Sequence, residues 1–191
     1  MLCLHIRHPL TCVTLFCRGA DSDAICRIAF GLRSRCDGMP AVRRSAPVLT
    51  RAAALIRGWL DGASRTLSSV PLDMDGFTAF QADVLAAARR IRRGTVASYA
   101  QLAAAAGHPA AVRAAAAVMR SNRYPIVIPC HRVVAAGARI GGFMGVTAGP
   151  AIGLKTRLLR MEGVAVANGV VVRKPAAMRP HAAGSAQRDQ A

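Results

Sequence analysis

The chain has 191 residues, 53% of them hydrophobic, enough to bury the core of one domain or two small ones. No stretch approaches the length of a membrane span, and His5, Arg7, His8 and Pro9 interrupt any signal-peptide core, so a cytoplasmic setting without a membrane partner is expected. A net charge of +17 points to a polyanionic partner, nucleic acid first. The acids are unevenly placed. After Asp83 none occurs until Glu162, and the interval holds Arg89, Arg90, Arg92, Arg93, Arg113, Arg120, Arg123, Arg132, Arg139, Lys155, Arg157 and Arg160. Arginine bias from a GC-rich genome explains part of the total, but not why the acids vanish from one half only. Cysteines stand at positions 3, 12, 17, 26, 36 and 130, no pair with CxxC spacing, so reduced thiols are expected.

Along the chain, Val13 to Cys17 and Ile25 to Phe30 read as strands separated by the turn-rich Gly19 to Asp23. Gly31 to Pro47 reads as a basic loop. Leu49, Ala52, Ala53, Ile56 and Leu60 then share one helical face. This first unit, residues 1–75, is expected as a small α/β domain. His5 and His8 with the early cysteines are the one candidate for a structural zinc, yet their spacing matches no standard site, so zinc is not expected there.

Gly76 opens a second unit, residues 76–166. Thr78 and Gln81 form a capping box at the start of a helix that buries Phe80, Val84, Ala88 and Ile91. The arginines at 89–93 suit its C-terminal dipole, and Gly94 ends it. Ser98 and Gln101 make a second capping box for a helix from Tyr99 to Ala106. Gly107 stops that helix, and Pro109 is expected as the first residue of the next, which runs to about Arg120. Helix, glycine turn and helix is the helix-turn-helix pattern, which ordinary helical hairpins share. The second helix is nearly all alanine around Arg113. It lacks the long polar side chains of a major-groove reader and is slim enough for a minor groove about 6 Å wide, although close helix packing would favour the same alanines.

Ile126-Val127-Ile128 reads as a short buried strand ended by Pro129. Cys130, His131 and Arg132 follow directly. Nearby cations depress a thiol pKa, so this neighbourhood suits a reactive thiolate. A small buried cysteine is the plainer alternative, since neighbours in sequence need not meet in space. Ala135 to Gly149 is a glycine-rich loop, and Leu154 to Met161 a short helix leading to Glu162, the only glutamate. Residues 167–191 are expected as a short strand at 170–172 and a basic tail, disordered from Pro175.

Phe80-Gln81, Gly94 with Ser98-Tyr99, Arg113 and the small residues after it, Ser121-Asn122, the run Ile128 to Val133, and Leu158-Leu159 with Glu162-Gly163 together resemble the O6-alkylguanine-DNA alkyltransferase family, over about residues 80–163. The resemblance implies an α/β N-terminal domain plus a mainly α C-terminal domain with a helix-turn-helix, winged-helix-like DNA-binding unit. It implies single-use transfer of an alkyl group from O6 of guanine in double-stranded DNA, with O4-alkylthymine a further candidate substrate, by a monomer and without a cofactor. By the resemblance Cys130 is the acceptor, His131 takes its proton through a water, Glu162 orients His131, Tyr99 donates to the base, and Asn122 is a hinge. Arg113 is the finger that fills the vacated stack. Val133, Phe143 and Met144 line the base pocket, and Ser98, Ala114, Arg120 and Arg132 complete the substrate and DNA contacts. Arg123 replaces the proline usual after the asparagine, Phe143 a common tyrosine, and Met144 a smaller residue, which is expected to narrow the pocket toward methyl adducts. The 145–153 segment is longer than the usual turn. Two rivals remain: an alkyltransferase-like sensor, a kind of protein that lacks the reactive cysteine, and a helix-turn-helix regulator, which the alanine-surfaced helix disfavours.

Overall fold

The computed structural model describes residues 1–31, 46–64 and 66–172. Most of the expected 31–47 loop, Cys36 and the tail expected from Pro175 lie outside the described residues.

The N-terminal region is a sheet of order β1-β2-β3, from β1 (Leu2–Arg7), β2 (Cys12–Cys17) and β3 (Arg27–Gly31), antiparallel throughout. The sequence did not announce β1, because His5 and Arg7 break its apolar run. As an edge strand it is only half-buried, and its polar side chains have room: His5 Nδ1 lies 2.8 Å from Thr14 Oγ1 on the paired strand. Helix α1 (Pro47–Leu60) starts with proline in its first turn, where a missing N–H is harmless, and lays Leu49, Ala52, Ile56 and Trp59 over β1 and β2. Cys12 is disulfide-bonded, contrary to the expectation of wholly reduced thiols. Sequence spacing alone does not report which thiols meet in space. Among the described residues no three His, Cys, Asp or Glu side chains gather, and no helix is long and apolar enough to cross a membrane.

Both expected capping boxes form. Thr78 and Gln81 start α2 (Ala79–Arg89), and Ser98 and Gln101 start α3 (Tyr99–Ala105). Helix α2 stops at Arg89, four residues short of the expected end. The arginines there turn back as clamps. Arg89 donates to the carbonyls of Ser68 and Val70 at 2.9 and 2.6 Å, and Arg93 to those of Ser64, Trp59 and Met161. Helix α4 (Val112–Arg120) is capped by Ala111, so Pro109 belongs to the preceding turn instead of the helix. Helices α2, α3 and α4 pack on one another.

The expected strand 126–128 does not form. Ile126 takes a φ of +66°, a left-handed conformation rare for a β-branched residue, and Ile128 N–H turns back onto the Tyr124 carbonyl. The apolar triplet is buried as a turn, so burial alone misled the strand reading. The strand at this place comes later: β4 (Ala97–Ser98) pairs in parallel with β5 (Val133–Val134). Helix α5 (Pro150–Met161) begins four residues earlier than expected and includes Gly153, so the long 145–153 segment is partly helical. A final hairpin joins β6 (Val166–Ala167) to β7 (Val170–Val171), matching the expected last strand.

Candidate active site

Cys130, His131 and Arg132 form one 3-10 turn immediately before β5, all three buried. The turn is held from behind by α5, whose C-cap is Glu162. Glu162 has two partners. His131 Nε2 stands 3.2 Å from Oε1, while Arg132 grips both oxygens, Nε to Oε2 at 2.9 Å and Nη2 to Oε1 at 2.6 Å. Arg132 Nη1 also donates to the Ile91 carbonyl at 2.6 Å. Burial pushes the carboxyl pKa up, but the bonds and charges of His131 and Arg132 outweigh it and draw Glu162 down to about 2. Burial pushes His131 the other way, below its usual value, so the ring is neutral at pH 7. With Nε2 toward the carboxylate, Nδ1 is buried without a protein partner. The edge of the Trp59 indole, from α1, closes on the ring at 5.9 Å between centroids.

Cys130 sits in the wall of a cleft of about 430 Å³ shared with Tyr99, Arg120, Phe143 and Met144. The sequence suggested that neighbouring cations depress its pKa. Burial instead pushes the thiol up, and the Asn122 side chain and the Lys155 charge oppose that only in part. Of the adjacent residues only the His131 backbone helps, since the His131 ring is neutral and Arg132 is paired with Glu162. Asn122 bridges the turn before the cysteine, Nδ2 donating to the Ile128 carbonyl at 3.0 Å and Oδ1 accepting from Tyr124 N–H at 2.9 Å. Burial, then the nearby Cys130, raises the Tyr99 hydroxyl above its ordinary pKa, so it remains a donor.

The structure thus brings Cys130, Tyr99, Phe143, Met144 and Arg120 to one cleft and sets His131 and Glu162 behind it. Arg113 and Ala114 lie on the exposed face of α4. Ser98 is occupied with its capping bond, and the Val133 carbonyl with Lys155. Arg132, grouped with DNA contacts on the sequence, points inward. Lys155 was read only as one more positive charge of the basic segment. It is fully buried, and its ammonium donates to three carbonyls. Its rarity was the available signal: the chain otherwise uses arginine almost throughout.

A sequestered thiol next to an imidazole–carboxylate pair, at the side of an open cleft, is an arrangement that can supply a cysteine nucleophile of the triad kind. Residues 79–164 match the family model of the 6-O-methylguanine DNA methyltransferase DNA-binding domain. A methylated-DNA–protein-cysteine methyltransferase of Methanothermobacter thermautotrophicus is 40% identical over 111 residues, 58% of this chain and 59% of that protein. The constitutive enzyme of that name in Bacillus subtilis is 33% identical over 148 residues, 75% of this chain and 86% of its own length. A Mycobacterium tuberculosis OGT crystal structure in complex with DNA superposes with a TM-score of 0.67 at 26% identity, covering 84% of this chain and 91% of that one. The chain belongs to the methylated-DNA–protein-cysteine methyltransferase family.

Proposed function

We propose that this protein repairs duplex DNA by moving the alkyl group from O6 of guanine onto Cys130, once per molecule. The observation that carries the reading is the buried Cys130 beside the His131–Glu162 pair at the cleft wall. The thiol proton passes through a water to His131 Nδ1, the ring nitrogen with no protein partner. Glu162 accepts from Nε2–H and stabilises the imidazolium that results. The sulfur then forms a bond to the alkyl carbon as the carbon–O6 bond breaks, and the electron pair stays on guanine. Tyr99, kept protonated, donates to the base and quenches that charge. The thioether product has no proton-labile bond by which the site can release it, which accounts for single use.

The target base must leave the stack, at a cost of a few kcal/mol. Helices α3 and α4 act as the helix-turn-helix of residues 76–166, the unit that binds DNA, while residues 1–75 form the supporting domain. The exposed face of α4 carries Arg113, Ala114, Ala117 and Arg120. This face enters the minor groove, with Arg113 filling the gap. Val133, Phe143 and Met144 hold the flipped guanine, and Asn122 sets the turn that carries Cys130. Arg132 serves by fixing Glu162. The protein works as a monomer in the cytoplasm.

Incubation with a duplex bearing O6-methylguanine, followed by peptide mass analysis, tests the reading. A gain of one methyl on Cys130 is expected. Selective binding of the lesion without mass gain identifies a sensor instead, and sequence-selective binding of undamaged DNA a regulator.

A further inference from the structure

A second cavity, of about 340 Å³, shares no lining residue with the Cys130 cleft and borders the relay through Trp59 and Arg132. Arg89, Arg90, Arg92 and Arg93, at and just past the end of α2, also line it. Among the described residues no carboxylate pairs with any of these four. Their bonds go to carbonyls instead: Arg89 Nη2 to Val70 at 2.6 Å, Arg90 Nη2 to Ala105 at 3.2 Å and Arg93 Nη1 to Ser64 at 3.0 Å. Carbonyls satisfy donors without neutralising charge, and the α2 dipole supplies only about half an elementary charge at that end. Arg89 is half-buried, and burial pulls its pKa below the ordinary arginine value. The side-chain N–H groups of Arg92, with Nε and Nη1 of Arg89 and Arg90, have no partner among the described residues. Neither has the buried Nε1 of Trp59.

We propose that this cavity binds a free phosphate-bearing anion, of the size of phosphate or pyrophosphate, held by Arg89, Arg90 and Arg92. A guanidinium fork matches two phosphoryl oxygens, and bonds between ionised partners are the strong ones. The anion supplies the counter-charge that no carboxylate provides here. The volume suits a small ligand. Helix α4, read above as the DNA contact, contributes no residue to the cavity, so the occupant is a free anion and not a duplex phosphate. The inner boundary touches the relay twice. The Trp59 indole sets its edge on His131 at 5.9 Å between centroids and has the Arg93 guanidinium 5.5 Å from its ring centre, while Arg132 grips Glu162. The site is independent of the repair reading, since cavity and arginines stand whether or not Cys130 accepts an alkyl group.

Trp59 is the only tryptophan, so its fluorescence reports occupancy in the intact chain. Titration with pyrophosphate at constant ionic strength, balanced with chloride, should give a saturable change, with one-site stoichiometry by calorimetry; inorganic phosphate should do the same more weakly. A linear response, or one that chloride reproduces, overturns the proposal. Arg92→Gln should weaken pyrophosphate binding by about tenfold or more, the loss expected for a charge-assisted bond. Arg157→Gln, on the exposed face of α5 and outside this cavity, should leave binding unchanged. Equal losses in the two variants reduce the effect to net charge and overturn the site. Should either variant not fold, the pyrophosphate and chloride titrations of the wild-type chain decide alone. Pyrophosphate affinity should also persist when a saturating undamaged duplex is bound; displacement by the duplex makes the occupant a DNA phosphate and overturns a free-anion site.

Discussion

Replacing Arg132 by methionine should remove the guanidinium that grips both oxygens of Glu162 while keeping much of the side-chain volume. The magnitude can be worked in two ways. A carboxyl drawn from 4.5 to about 2 contributes roughly 3 kcal/mol to stability at neutral pH, though His131 shares in that shift. Breaking a buried ion pair by removing one partner costs about 3–5 kcal/mol, because the other charge is left buried. The Ile91 carbonyl also loses its donor. We expect a loss of about 3 kcal/mol at pH 7 in urea unfolding, a large share of a typical total of roughly 5–15 kcal/mol. The pH dependence separates this cause from lost packing. A carboxyl whose folded pKa is depressed contributes stability that is full above the unfolded value and vanishes as pH falls through the folded one. In the wild type that window runs from about 4.5 to about 2. In Arg132→Met the carboxyl pKa rises, so this acid-sensitive contribution is largely gone, and the deficit should shrink by about 1 kcal/mol between pH 7 and pH 3.5. A deficit below about 1 kcal/mol at pH 7, or one that does not change with pH, would refute the reasoning.

Gly94 has φ +78°, and a Cβ there would stand 3.1 Å from the Glu162 carbonyl. Gly94→Ala should therefore cost at least about 1–2 kcal/mol in thermal or urea unfolding, and more if the crowded Glu162 backbone cannot shift; a neutral result would mean the turn adapts freely. Ser98→Ala removes the acceptor for Gln101 N–H and should cost about 1 kcal/mol while slowing transfer, since Tyr99 is the next residue; unfolding and single-turnover kinetics read the two effects. Arg113→Ala should lower affinity for lesion duplex more than for undamaged duplex in fluorescence titrations, and equal losses would reduce Arg113 to a phosphate contact. Affinity for any duplex should fall steeply and linearly on a log–log salt plot, with fewer phosphate contacts than the raw charge suggests, because Arg89, Arg93, Arg132 and Lys155 are engaged by carbonyls or Glu162 inside the protein.

Residue order alone determined the features set by local chemistry. The capping boxes at Thr78 and Ser98 each need only a hydroxyl and a glutamine three residues on, so both helix starts were legible. The apolar face of α1 was legible too, as was the Cys130-His131 pair, whereas Glu162 as its carboxylate followed only from the resemblance to the family. Tertiary structure decided everything that depends on who lies opposite. Ile126 to Ile128 looked like a strand because burial and strandedness give the same apolar run, and only the packed core shows that the chain turns there. Arg132 looked like a surface cation, yet it fixes Glu162; Lys155 looked like one more positive charge, yet it is buried and donates to three carbonyls. A sequence records that a side chain is charged. Whether that charge faces solvent, carboxylate or carbonyl depends on distant segments meeting in space, and here those meetings set Arg132 on Glu162 and Lys155 on three carbonyls.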